Sequence, residues 1–222
     1  MLLAFDTSSA AVTVAVADPI SGAVLASSST VDALRHGELL APAIAEALAT
    51  AGCAPRDLTK IAVGVGPGPF TGLRVGLVTA RTMADVLEIE VAGVCSLDIL
   101  ARQSSLTLPV AVATDARRKE IYWALYDGPA ADGSRRRLEG PAVDRPADVA
   151  HVLAGLPVIG RGAVLYAEAL GLDTNDVPEY PSAEVLALGV ATGTLPVVAP
   201  DPLYLRRPDV TMSGGPKSVL PK

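Results

Sequence analysis

The chain opens with short apolar runs. Residues 2–5, 12–17 and 23–29 are apolar or alternating, and turn residues such as Asp18-Pro19 and Ser21-Gly22 separate them. This pattern predicts a meander of three strands. The period then lengthens, predicting a helix from about 34 to 51 with Gly52 just past its end. A buried strand at 60–65, a turn dense in glycine and proline, a helix at about 71–87 and a strand at 91–94 follow. The second half predicts a helix at 97–103, strands at 110–114 and 120–126, and a polar loop at 131–140. Beyond these come a short strand at 158–159, Gly160-Arg161-Gly162 leading a helix to 170, and a helix at 182–192. From Pro200 the chain is proline-rich with little periodicity. Strands first, then helices alternating with parallel-type strands, imply an α/β fold with a mixed sheet.

Two of these helices have more apolar surface than one buried stripe requires. In 34–51 the non-core residues Glu38, Pro42, Glu46 and Thr50 lie four apart in one narrow stripe, and Leu39, Leu40, Ala43, Ile44, Ala47 and Leu48 cover the rest. In 71–87 and just after it the charges Arg74, Arg81, Asp85 and Glu88 lie close to one face, while Gly72, Gly76, Ala80 and Ala84 form a ridge of small residues. Two readings stand: both helices are sandwiched in a large core, or their outer faces dock onto a partner protein.

Composition narrows the class. Of 222 residues, 50% are hydrophobic and 19% charged, as in a globular chain with a substantial core. The net charge of −6 argues against a main RNA-contacting subunit. The first residues have no basic stretch and reach a carboxylate at Asp6, so no signal peptide is expected. No apolar run approaches the roughly 20 residues a bilayer requires. Cys53 and Cys95 lack CxxC spacing and read as buried thiols, and a cytoplasmic location follows.

The densest candidate chemistry lies in Gly64-Val65-Gly66-Pro67-Gly68-Pro69-Phe70-Thr71-Gly72-Leu73-Arg74-Val75-Gly76. A constrained loop at a helix N-terminus can cradle a phosphate, and it can also be a rigid joint. It is not a Walker A motif, having no lysine, and it is not Gly-x-Gly-x-x-Gly. Gly160-Arg161-Gly162 also fails the dinucleotide pattern, with Leu165 where the third glycine belongs. Asp6-Thr7-Ser8-Ser9 offers a carboxylate and hydroxyls suited to hydrated Mg²⁺ and phosphates, or to an ordinary turn. The candidate nucleotide-binding residues are therefore Asp6, Thr7, Ser8, Gly66 and Gly68. His36 and His151 are the only histidines, with no metal-ligand spacing and no Gly-x-Ser-x-Gly elbow, so no residue is offered as catalytic or metal-binding. Arg117-Arg118-Lys119 and Arg135-Arg136-Arg137 read as solvated faces or as contacts to a phosphate backbone.

In this order, Phe5-Asp6-Thr7-Ser8, His36-Gly37-Glu38-Leu39-Leu40-Ala41-Pro42, Gly66-Pro67-Gly68-Pro69-Phe70-Thr71-Gly72-Leu73-Arg74-Val75-Gly76 and Asp115-Ala116-Arg117-Arg118-Lys119-Glu120-Ile121-Tyr122-Trp123 resemble the bacterial tRNA threonylcarbamoyladenosine biosynthesis family TsaB. Gly160-Arg161-Gly162-Ala163 and Tyr204-Leu205-Arg206-Arg207-Pro208 fit the same pattern, so the resemblance covers nearly the whole chain. The Gly-Pro-Gly-x-Phe-Thr-Gly-Leu-Arg block is highly specific, and Pro69 stands where the family often has serine.

The resemblance implies an actin-like, sugar-kinase type ATPase fold of two βββαβα lobes, the second reduced. The lobes are expected at 1–95 and 96–202, with a partly flexible tail at 203–222. It also implies a non-catalytic scaffold that pairs with a TsaD homologue, joins a TsaE ATPase and forms a homodimer when alone. The scaffold would reach tRNA indirectly through the complex and leave ATP and Mg²⁺ to its partners, with no tightly bound cofactor and no membrane. The docking face would come from the two apolar helices, through Leu39, Leu40, Ala43, Ile44, Ala47, Gly72, Gly76, Ala80, Met83 and Ala84. The catalytic paralogue needs a histidine pair at helical spacing, and here only His36 stands near the matching helix. The alternative is an autonomous Mg-ATP-dependent ATPase or small-molecule kinase using Asp6, Thr7 and the glycine-rich loop.

Overall fold

A computed structural model describes residues 1–172 and 177–206. The three-strand meander forms as expected: β1 (Leu2–Asp6), β2 (Ala11–Ala17) and β3 (Val24–Val31). Then come α1 (His36–Thr50), β4 (Lys60–Gly64), α2 (Phe70–Leu87) and β5 (Glu90–Val94). These strands make one five-stranded sheet in the order β3-β2-β1-β4-β5, antiparallel through β3, β2 and β1 and parallel through β4 and β5.

All seven residues of β2 are buried, because this sheet is covered on both faces. Successive side chains alternate between the faces. Leu3, Phe5, Val14 and Val16 pack with Leu40, Ile44, Leu77 and Ala80 of α1 and α2. Leu2, Ala4, Ala15 and Ala17 point the other way, onto α3 (Ser96–Gln103) and a late helix, residues Ala183–Ala191.

The second sheet repeats the plan. β6 (Val110–Asp115), β7 (Ile121–Tyr126), β8 (Arg137–Asp144), α4 (Pro146–Leu153), β9 (Val158–Ile159), α5 (Arg161–Leu165) and α6 (Ala167–Leu170) follow in sequence, and the late helix is α7. The strand order is β8-β7-β6-β9, with β9 parallel to β6. Leu97 and Leu100 of α3 pack with Val110, Val112, Tyr122 and Tyr126 on one face of it, while Val149, Leu153 and Leu170 cover the other. Both sheets thus carry a βββαβα unit. This is the actin-like, sugar-kinase type of ATPase fold, with four strands in the second lobe against five in the first.

Two expectations change, and one helix is new. The polar loop at 131–140 is in part β8, an edge strand whose exposed charges and Gly140-Pro141 hide its alternation. The helix α4 begins on Pro146, a residue suited to the first helical turn. The single helix expected up to 170 is two short ones, parted at Tyr166. Although α7 falls in the range expected for the second lobe, it packs on β1 and β2 of the first sheet. After α7 a strap returns along the first lobe. Val198 bridges Gly93, the Leu203 N–H donates to the Val65 carbonyl (2.9 Å), and the Leu203 side chain touches the cores of both lobes. Arg206 then reaches the β6–β7 hairpin, donating to the Ala116 carbonyl (2.9 Å) and pairing with Glu120 (2.6 Å). Of the tail expected at 203–222, residues from Arg207 onward lie outside the described residues.

Candidate functional site

The glycine-rich turn folds onto the end of β1. Asp6 is 1% exposed, and its carboxylate accepts hydrogen bonds from the Ser8 N–H (2.7 Å), the Ser8 hydroxyl (2.7 Å) and the Ser96 hydroxyl (2.6 Å). The Ser96 hydroxyl in turn accepts from the Gly66 N–H (3.1 Å), so β1, α3 and the turn share one chain of bonds. Burial pushes the Asp6 carboxyl above its ordinary value, and the bonds from Ser96 and Ser8 pull it back part of the way. The Thr7 hydroxyl donates to the Gly72 carbonyl (2.8 Å).

Close approach explains the glycines. A Cβ at Gly68 would collide with the backbone carbonyl of Ser8, and one at Gly76 would lie 2.5 Å from the Thr7 hydroxyl oxygen. The glycine-rich turn thus packs directly against this chain's own β1–β2 turn. Of the five candidate nucleotide-binding residues, Asp6, Thr7, Gly66 and Gly68 are consumed in this joint. Ser8 also lines a cavity.

That cavity, of about 290 Å³, lies between the lobes. Ser8, Ser9 and Pro69 line one side of it, and Thr114, Asp115, Arg117, Arg161, Glu179 and Tyr180 line the other. Arg161 pairs with Glu179 (2.6 Å). The Thr114 hydroxyl is buried and has no hydrogen-bond partner. Hydroxyls and charges of both signs line it. Among the described residues, no three His, Cys, Asp or Glu side chains converge as a metal site. The His36 ring is buried and its Nε2 lies 2.7 Å from the Ser9 carbonyl, a packing and tethering role.

The two apolar helices require a correction. Leu40, Ile44, Ala47, Gly72, Gly76, Ala80 and Ala84 are buried against this chain's own first sheet. The ridge of small residues lets α2 approach β1 closely; it is not an outer docking face. Leu39, Ala43 and Met83 are half-buried. The solvent side of the pair instead presents Ala41, Pro42, Ala45 and Ala49 from α1, and Val78 and Val86 from α2, the last two 60% and 78% exposed. Between the helices runs an apolar groove of about 490 Å³, lined by Ala41, Ala45, Ala49, Cys53, Thr79 and Met83 among others. The signal that could have located this face is the near absence of charge on the outer side of α1. The stripe Glu38, Pro42, Glu46 and Thr50 is interrupted there by alanines, which carry no sign of which way they point.

At the N-terminus of α2, Phe70 stacks on Tyr204 of the strap (5.3 Å between centroids), and the Arg74 guanidinium lies 3.9 Å over the Phe70 ring. Among the described residues no helix is long and apolar enough to cross a membrane.

A two-lobed fold of the actin-like ATPase class whose glycine-rich turn packs on its own β1–β2 turn is the type of protein these features define. Residues 27–194 match the TsaD family, described as tRNA N6-adenosine threonylcarbamoyltransferase. An uncharacterized protein of Mycobacterium leprae is 43% identical over 94% of this chain and 55% of its own length. The tRNA threonylcarbamoyladenosine biosynthesis protein TsaB of Bacillus subtilis is 36% identical over 56% of this chain and 54% of its own. The chain thus spans about half the length of these two relatives. The crystal structure of YeaZ from Pseudomonas aeruginosa superposes with a TM-score of 0.74 at 31% identity, covering 92% of this chain and 99% of that one. The chain belongs to this family and is of its TsaB type.

Proposed function

We propose that this chain is a scaffold subunit, without chemistry of its own, in the threonylcarbamoylation of the tRNA adenosine beside the anticodon. Family membership and the TsaB-named relatives support the pathway. The observation that carries the scaffold reading is the outer face of α1 and α2, where alanines, Val78 and Val86 surround an apolar groove. An apolar groove lying open between two helices is the kind of surface another helix pair covers. In this reading the pair docks on the corresponding helices of a TsaD-type subunit, or on a second copy when that subunit is absent. The heteromer then recruits a TsaE-type ATPase. ATP and Mg²⁺ act through those partners, this chain holds no cofactor tightly, and the assembly works in the cytoplasm. The close packing of the glycine-rich turn against Thr7 and Ser8 supports the same division of labour.

Ala45→Glu and Thr79→Glu place charges in the groove without touching the inward side of either helix. Mixed with the TsaD-type subunit of the same organism, the wild-type chain is expected to elute as a heteromer in size-exclusion chromatography. The variants should elute as separate subunits with unchanged circular dichroism. A heteromer formed equally well by both variants would end this reading of the face.

A further inference from the structure

Among the described residues, three of the four sheet edges are closed or guarded. Along β5 the strap adds a bridge, with Gly93 and Val198 exchanging backbone bonds of 3.0 and 2.8 Å. The strand β9 is two residues long, and just beyond it the N–H groups of Gly160 and Arg161 donate to the carbonyls of Pro178 and Glu179. The strand β8 carries Arg137, Glu139, Asp144 and Pro141, and its pairing with β7 is irregular. Charge, proline, bulges and covering segments are the usual means by which an edge refuses a further strand.

The fourth edge, β3, lacks charge, proline and cover. It runs for eight residues, and no charged residue occurs between Asp18 and Asp32. Its one irregularity against β2 falls at its start, and from Ala26 to Val31 the register is unbroken. Just past its end the Asp32 N–H donates to the Ala10 carbonyl (2.8 Å). Bonding alternates along an antiparallel pair, so Thr30, Ser28 and Ala26 bond to β2. Val31, Ser29 and Ser27 then turn their N–H and C=O groups outward. Among the described residues, no backbone group of β3 bonds beyond β2. Val24, Leu25 and Val31 are 41%, 44% and 58% exposed.

We propose that β3 pairs antiparallel with β3 of a second copy of this chain, across a twofold axis at Ser28. Residues 25–31 read Leu-Ala-Ser-Ser-Ser-Thr-Val, nearly symmetric about that serine. The axis sets Ser27 of one copy opposite Ser29 of the other, and Leu25 opposite Val31, each pair occurring twice. Hydroxyls meet in the middle of the ladder and apolar side chains meet at its ends. Charge selects the same contact. Two copies of net charge −6 repel, and they approach most easily where neither carries a charge. The two Asp32 carboxylates stand eight positions apart along the ladder, about 27 Å, well beyond a screening length of about 8 Å. Glu184, beside the strand, already accepts from the Ser27 hydroxyl. The contact leaves the groove between α1 and α2 open, so it goes beyond the function proposed above and does not depend on it. A strand pair of this length buries less than about 1,200 Å² in total, the size of transient interfaces, so the dimer dissociates on dilution.

Sedimentation velocity of the full chain alone, from roughly 5 to 200 µM, reads this equilibrium, and the wild type should move from monomer toward dimer across the range. Ser29→Pro removes an outward N–H and no bond to β2, and should stay monomeric with unchanged circular dichroism. Ser29→Lys, a charge of the kind that guards natural edges, should do the same without constraining the backbone. Ala45→Glu, on the helix face, should dimerise like the wild type. The axis has its own test. Ser28→Cys sets two cysteines opposite each other in a non-hydrogen-bonded pair, with Cα atoms about 4.5 Å apart and within disulfide reach. Under mild oxidation it should give about fivefold more covalent dimer than the wild type, whose cysteines are Cys53 and Cys95. A wild type that stays monomeric throughout, a Ser29→Lys chain that dimerises as the wild type does, or a Ser28→Cys chain that cross-links no better than the wild type would overturn the proposal. A dimer lost in Ala45→Glu and kept in Ser29→Lys would place the self-contact on the helices, ending this proposal while leaving the scaffold reading intact.

Discussion

Gly76 shows how single positions carry the joint between α2 and β1. Its hydrogen stands where a methyl group would meet the Thr7 hydroxyl oxygen at 2.5 Å, and that hydroxyl is already committed to the Gly72 carbonyl. Gly76→Ala gains helix propensity of about 1 kcal/mol but forces Thr7 or the helix to move, at roughly 1–3 kcal/mol for overpacking. We expect a net fall of a few degrees in the midpoint of thermal unfolding. The double variant Thr7→Ala/Gly76→Ala should recover part of it, since the colliding oxygen is gone. A single variant that melts with the wild type would show that the close approach is not what the glycine serves. In the sequence, Gly76 was visible as one of a ridge of small residues. Which neighbour the ridge admits was not, because i, i+4 spacing marks a face of a helix and says nothing of what lies opposite.

Among the elements, β8 and α3 are joined by a charge pair that sequence patterns conceal. The Asp98 side chain is 5% exposed and accepts from Arg137 Nε (3.0 Å) and Nη2 (2.7 Å) and from the Tyr126 hydroxyl (2.7 Å). Burial, and then the Asp98 charge, pushes the Tyr126 phenol well above its ordinary value, so it stays a donor. Asp98→Ala strands a half-buried guanidinium and a buried phenol, and should cost about 3 kcal/mol in urea unfolding. Arg137→Met, which keeps the aliphatic packing, should cost less than Asp98→Ala; the reverse order would contradict this account of the pair. The triplet Arg135–Arg137 looks like a solvated run because its partners Leu106, Leu108 and Asp98 lie 27 to 39 residues away.

At the scale of the whole molecule, the lobes share their helices. Leu97 and Leu100 of α3 pack on the second sheet, while Ile99 joins α7 against the first, and Leu203 of the strap touches both cores. Neither lobe buries its inner face alone, so unfolding should be one cooperative transition. Trp123, the chain's single tryptophan, reports on the second sheet, where its Nε1 donates to Asp144 (2.8 Å). Its fluorescence and the far-UV circular dichroism of the whole chain should share one melting midpoint. Two separated midpoints would mean lobes that stand independently.

By itself the sequence determined the order of strands and helices through most of the chain, and the motif set that marks the family. Both are written locally, in period, turn chemistry and a backbone-constrained turn. It also narrowed the glycine-rich run to two readings, cradle or joint. The tertiary structure adds the close approach that favours the joint, with Gly68 and Gly76 lying against Ser8 and Thr7. It likewise decided which side of α1 and α2 faces water, turning Leu40, Ile44 and Ala80 inward and leaving Ala45 and Val78 outside. And it tied Arg135 and Arg137 to the distant Leu106, Leu108 and Asp98, partners that no local pattern records.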